Sequence, residues 1–274
     1  MPTIKMEGSS TSVSVHLNKM LGLDQLEKFP AYQTWFSCLS KSLQQQAQTS
    51  HSFHNTPYTL RSIEVQSCDF FGGRNLGFVK LKADISNDEG EKLPGIVFLR
   101  GGSVAMLLIL QAESTAEEYA LLTVQPRIAI GSLGFVELPA GMLDNNGTFS
   151  GAAAKEIKEE TGLEIEEQDL INMTELTFRG RIGEQSSNEA HLQQGVYPSP
   201  GGCDEFIPIF LARKQMPVEE IDGMKGKLAG LQDEGEKITL KICPLSQLWK
   251  VGAQDAKTLA AVALYEGLKR EGKV

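Results

Sequence analysis

Between residues 24 and 48, apolar side chains return at three- and four-residue spacing: Leu26, Phe29, Tyr32, Trp35, Phe36, Leu39 and Leu43. That period puts them on one face of a helix, and an aromatic stripe of this kind packs in a core or at a subunit interface. The period then shortens. Residues 59–69 and 77–85 read as strands, with Phe71-Gly72-Gly73 marking the turn between them and Asn87-Asp88-Glu89-Gly90 ending the second. Two strands cannot bury themselves, so they must extend a larger sheet or a neighbouring subunit. Apolar runs at 96–99, 104–111 and 119–125 follow as a meander, and further strand-like runs fall at 176–179, 206–212 and 238–243. Helices are expected at 152–161 and 253–269, the second with Leu259, Val262, Ala263 and Leu268 on one side. Residues 180–198 are polar and without period, which predicts a long loop, and such loops often serve as lids or binding loops. The expected fold class is α/β, a mixed β-sheet in an α/β/α sandwich with an N-terminal helix and β-strand subdomain.

Composition narrows the function. A chain of 274 residues, 41% apolar, can build one large domain or a core domain with an appendage. The longest apolar stretch, Val104 to Leu110, is strand-sized, so no membrane partner is expected. A net charge of −9 argues against a nucleic-acid partner and means that an anionic substrate needs local help from a metal or arginine. Cys38, Cys68, Cys203 and Cys243 are scattered and form no C-x-x-C pair, which fits reduced thiols better than zinc or disulfides. The first fifteen residues, with one acid and one base, read as a frayed terminus or as the remnant of a targeting peptide.

The stretch that carries chemistry is Leu138-Pro139-Ala140-Gly141 and then Lys155-Glu156-Ile157-Lys158-Glu159-Glu160-Thr161-Gly162-Leu163. Residues 152–160 favour helix, and Gly162 suits a left-handed stop. On that helix Glu156 and Glu160 lie about 40° apart, with Glu159 about 60° to the other side of Glu156. Like charges so close repel, Lys155 and Lys158 offset part of this, and a bound cation would offset more. Oxygen-only ligands suit Mg²⁺, with Mn²⁺ as an alternative. The competing reading of an isolated E-x-x-E-E is a solvated acidic face.

The flanks decide between them, because this segment resembles the Nudix hydrolase signature G-x5-E-x7-R-E-U-x-E-E-x-G-U, where U is bulky and aliphatic. Gly141, five residues, Gly147, seven residues and K-E-I-K-E-E-T-G-L keep its spacing. Gly147 stands where the signature has its first Glu, and Lys155 where it has Arg. Gln125-Pro126-Arg127, Glu137-Leu138-Pro139-Ala140-Gly141, Ser199-Pro200-Gly201-Gly202-Cys203-Asp204-Glu205, the segment 230–236 and Asp255-Ala256-Lys257-Thr258-Leu259 further resemble the branch that cleaves ADP-sugars and ADP-ribose, its plant chloroplast members above all.

The resemblance implies a Nudix fold and Mg²⁺-dependent hydrolysis of an ADP-sugar such as ADP-glucose or ADP-ribose to AMP and a sugar phosphate. It implies metal ligands at Ala140 (through its carbonyl), Glu156, Glu159 and Glu160, and catalytic roles for Glu205, toward the attacking water, and Glu159. It implies substrate contacts at Arg127, Gly141, Gly201 and Gly202. It also implies a homodimer, with 1–92 as the N-terminal dimerisation subdomain and 93–274 as the hydrolase domain, working in the chloroplast stroma; the residues alone fit any reducing compartment, the cytoplasm included. The alternatives are a UDP-sugar or other nucleoside diphosphate substrate, or, given Gly147 and Lys155, a nucleotide-binding module without turnover.

Overall fold

The computed structural model describes residues 2–6, 12–73, 75–115, 117–143, 148–179, 190–230 and 237–274. Position 147, residues 180–189 of the expected loop and the segment 231–236 lie outside them. The chain divides into two compact units. The first comprises 1–102, 183–193 and 199–205, and the second 103–182, 194–198 and 206–274.

The first unit contains β1 (Thr3–Lys5), β2 (Ser12–His16), α1 (Leu23–Glu27), α2 (Pro30–Gln45), β3 (Thr59–Phe71), β4 (Asn75–Ser86), β5 (Lys92–Leu93) and β6 (Ile96–Leu99). Its sheet runs β1-β2-β3-β4-β5, with β6 also paired to β4. This pairing carries the unit past the expected boundary at 92/93. The single helix expected over 24–48 is two helices, because Pro30 holds Phe29 extended (ψ 115°) and so starts a new helix at its own position. The aromatic stripe does its expected work: Leu26, Phe29, Tyr32 and Phe36 are buried, together with Ile63, Val79 and Leu81 of the sheet.

The second unit holds β7 (Ser103–Ala112), β8 (Glu118–Arg127), β9 (Ser132–Glu137), β10 (Ala140–Met142), α3 (Phe149–Thr161), β11 (Ile171–Asn172), α4 (Met173–Arg179), β12 (Ile209–Met216), α5 (Val218–Met224), β13 (Leu228–Ala229), β14 (Ile238–Pro244), α6 (Leu248–Val251) and α7 (Ala256–Arg270). Its sheet is mixed: β12 runs parallel to β7, while the other pairs are antiparallel, in the order β11-β12-β7-β8-β14-β13, with β10 on β7 and β9 on β8. Alternate residues of β7 feed opposite cores. Ala105, Leu107 and Ile109 meet Met173 of α4, Leu248 of α6 and Tyr265 of α7; Val104, Met106, Leu108 and Leu110 meet Ile157 of α3 and Ile221 of α5. Burial on both faces explains why β7 reads as an unbroken apolar run. The expected α/β class with a mixed sheet between helices is what the chain forms.

Two further elements differ from what the sequence predicts. Residues 176–179 are helical within α4, not a strand. The Asn172 side chain caps that helix, its Oδ1 accepting from Glu175 N–H (3.0 Å) and Thr174 Oγ (2.7 Å), a local signal that outweighs the β-propensity of Leu, Thr and Phe. In α7 the buried residues are Thr258, Ala261, Tyr265 and Leu268, and Leu259 is exposed. The cap at Asp255 and the buried Thr258 turn the helix about its axis relative to the expected stripe. Among the described residues, no helix is long and apolar enough to cross a membrane.

Candidate active site

Helix α3 begins at Thr148, whose side chain accepts from Gly151 N–H, and stops at Gly162 in the left-handed region (φ 75°). Its inward stripe is Ala153, Ile157 and Glu160, so the helix that packs on β7 carries a carboxylate on its apolar face. Glu160 is 5% exposed. Burial is the main reason its carboxyl is pushed up to about 8, with the nearby Glu156 charge the next cause; the hydrogen bonds from Ala140 and Gln125 act the other way.

The strand opposite fixes the second half of the site. Pro139 carbonyl accepts from Met106 N–H on β7 (3.0 Å), and successive residues of an extended strand alternate sides. Ala140 therefore turns its N–H and carbonyl away from β7, and its N–H donates to Glu160 Oε2 (3.0 Å). Gly141 leaves the room that the Glu156 carboxylate occupies. A Cβ there would stand 1.8–1.9 Å from the Glu156 carboxyl carbon and Oε1, so that carboxylate lies directly over the glycine backbone. Gln125 donates to Glu160 Oε1 at 3.4 Å from the other side.

Of the three helix carboxylates, Glu156 and Glu160 thus share one place with Ala140 and Gly141. Glu159 lies beside Lys155, 4.0 Å away at i,i+4 spacing. Among the described residues, no group of three His, Cys, Asp or Glu side chains is gathered to hold a metal. The oxygens that could hold a cation are the Glu156 and Glu160 carboxylates, with the backbone carbonyl of Ala140, turned away from β7, as a further donor. These oxygen donors fit a hard divalent cation that keeps water in its remaining positions, and a buried carboxyl with so raised a pKa gains from a nearby positive charge.

Arg127 ends β8 next to a bulge in the β8–β9 pairing. Its Nε donates to Glu137 Oε1 (2.6 Å), while its side chain is 42% exposed. Glu137 is 2% exposed and also receives Lys257 Nζ on Oε2 (2.5 Å). Gln125 and Glu137 both sit inside sequence motifs, at 125–127 and 137–141, that by themselves give neither residue a role. Their signal was a polar side chain near the end of an otherwise apolar strand.

The segment Ser199 to Glu205 belongs to the first unit. A tight turn forms as Gly202 and Cys203 N–H both donate to Ser199 carbonyl (3.2 and 3.0 Å), and Gly202 carbonyl accepts from Phe98 N–H (2.8 Å). A Cβ at Gly201 or Gly202 would meet nothing within 4 Å, so this turn does not demand glycine sterically. Asp204 Oδ1 accepts from Arg100 and Gly101 N–H (2.7 and 3.2 Å), and its carboxyl is raised by burial despite them. Glu205 is held by Arg100 Nη1 at 3.0 Å.

The NUDIX domain matches residues 100–262. Nudix hydrolase 14, chloroplastic, of Arabidopsis thaliana is 42% identical over 218 residues, 79% of this chain, and the chain spans 65% of that relative's length. A solved structure described as an ADP compounds hydrolase is similar over 79% of this chain and 99% of its own, at 17% identity and a TM-score of 0.46.

Proposed function

The chain belongs to the NUDIX family of hydrolases, and from that premise we propose that it hydrolyses the diphosphate of an ADP-sugar, ADP-glucose or ADP-ribose, to AMP and a sugar phosphate. The observation that carries the reading is Glu160: a carboxylate on the apolar stripe of α3, beside Glu156, with no cation near enough among the described residues to neutralise it. Glu156, Glu160 and the Ala140 carbonyl would hold Mg²⁺, with Mn²⁺ as the alternative. Bound there, the ion would withdraw charge from the phosphate oxygens and lower the pKa of a coordinated water.

The chain's own residues supply the rest. Gly141 leaves the Glu156 carboxylate its place, and Gln125 and the Ala140 N–H fix the orientation of Glu160. Arg127 offers its outer guanidinium nitrogens to a diphosphate oxygen while Glu137 holds its Nε. Proton removal from the attacking water is assigned to Glu205 on the sequence resemblance. The same resemblance supports a homodimer built through the N-terminal strands, which light scattering reads directly. Placement in the chloroplast is supported by the name of the Arabidopsis relative.

The test is a panel of ADP-glucose, ADP-ribose and UDP-glucose, with and without Mg²⁺ and with products identified, repeated for Glu160→Gln and Glu205→Gln. Release of AMP that requires the metal, and falls at least about a hundredfold in each variant, is the expected result. Tight binding without turnover would make the chain a nucleotide-binding module instead, and preferred cleavage of UDP-glucose would overturn the choice of base.

A further inference from the structure

Helix α7 opens on Asp255-Ala256-Lys257-Thr258. Asp255 is 4% exposed and uses both oxygens. Oδ2 accepts from Thr258 N–H and Oγ (3.2 and 2.7 Å) and also from Leu138 N–H (3.2 Å), which ties the helix cap to the residue that follows Glu137. Oδ1 accepts from Lys257 N–H and Nζ (3.1 and 3.0 Å). Lys257 then reaches on to Glu137 Oε2 at 2.5 Å, with its side chain only 13% exposed. A continuous chain of polar contacts therefore runs Thr258, Asp255, Lys257, Glu137, Arg127, all within the second unit and with two acids balancing two bases.

The consequence lies in which atoms are used. An arginine and a carboxylate left to themselves favour a fork with two parallel hydrogen bonds. Here the second carboxylate oxygen is taken by Lys257, and the bond to Arg127 is the single one from Nε to Oε1. The Nη nitrogens make no hydrogen bond to the described residues. Glu137 is nearly sealed from water, so without Lys257 its second oxygen would lack a partner, and a buried unpaired charge is strongly unfavourable. The nearest relief would be for Arg127 to turn and fork both oxygens, taking an Nη inward.

We propose that Lys257 is a positioning residue: by occupying Glu137 Oε2 it restricts Arg127 to a one-edge contact and so keeps the outer guanidinium nitrogens presented to an anionic ligand. The part concerning the ligand rests on the reading of Arg127 as a diphosphate contact. The part concerning Arg127 itself does not.

Two measurements separate them. The ¹⁵N-edited proton spectrum of the ligand-free protein reports the arginine side chain, the Arg127 signals being assigned by their disappearance in Arg127→Lys. In Lys257→Met an Arg127 Nη hydrogen becomes protected from exchange, whereas in the wild type the protection is confined to Nε–H. Calorimetric titration with ADP-ribose in EDTA, and KM with Mg²⁺, then show affinity falling about ten- to a hundredfold in Lys257→Met, the size expected when a binding group is misplaced by about an ångström, with kcat changed less. Lys257→Arg keeps a cation on Oε2 and holds both readouts near wild type; it also decides the matter if Lys257→Met does not fold. Unaltered Arg127 signals in Lys257→Met, or a Lys257→Arg protein with Arg127 forked onto Glu137, overturns the proposal. A wild-type protein that binds no ADP-ribose sinks the reading of the substrate and leaves the spectrum to judge Lys257.

Discussion

Glu137 and Glu160 are both glutamates buried in the second unit, 2% and 5% exposed, and their surroundings are opposite. Glu137 has a cation on each oxygen, Arg127 on one and Lys257 on the other. Among the described residues, Glu160 has a backbone N–H and a glutamine amide, with the Glu156 charge and then the Glu137 charge raising its pKa further. Among the described residues, the fold supplies cations to the first carboxylate and none to the second. A carboxyl kept at about 8 by its setting is poor at stabilising an isolated domain and well suited to receiving a divalent cation.

The comparison is broken most directly at Gly141. Gly141→Ala puts a methyl into the Glu156 carboxylate and must displace it, while Glu137 and its cations are untouched. Turnover is expected to fall by about a hundredfold, the size of losing a properly placed charge-stabilising group. Circular dichroism should show the fold retained, and near-normal kcat would mean that the position of the Glu156 carboxylate does not matter.

A smaller effect should appear in stability. The raised pKa means that folded Glu160 holds its proton more tightly than the unfolded chain does. Its contribution to stability is therefore fully present below its ordinary value of 4.5 and is lost as pH climbs through about 8. In EDTA the melting temperature of the wild type should fall across that window more than that of Glu160→Gln, and Mg²⁺ added at pH 8 should restore much of the loss. Parallel pH profiles for the two proteins in EDTA would count against a strained Glu160.

The smallest effect is expected at Glu159. It lies beside Lys155 and is not among the charges that raise the Glu160 carboxyl, so Glu159→Gln should lower kcat by no more than about threefold, as befits a partly exposed i,i+4 pair. A loss equal to that of Glu160→Gln would restore Glu159 to the ligand set that the sequence resemblance implies for it.

Much of this was legible in the chain as written. The period of the apolar residues placed α3, β6, β7, β8 and β14 within a few residues, because burial of one or both faces leaves a direct mark on sequence. It failed at α4, where a side-chain cap at Asn172 outweighs propensity, and at Pro30, a break that the apolar stripe runs straight across. The motif spacing brought Glu156, Glu160, Ala140 and Gly141 onto one short list. It gave Glu159 the same standing as the other two, since a helical projection gives the angle between side chains and not the partner each one finds.

What the sequence determined by itself was the family, the carboxylate helix and the unbroken apolar strand beneath it, all local or periodic features. What only the tertiary structure decided was which charges meet. Lys257 and Glu137 are 120 positions apart, and Gly141 and Glu156 touch only because β10 pairs with β7 while α3 packs across the same strand. Electrostatic partners are set by distance in space, and a charge reads the same in the sequence whether its neutralising group is close by or has still to arrive.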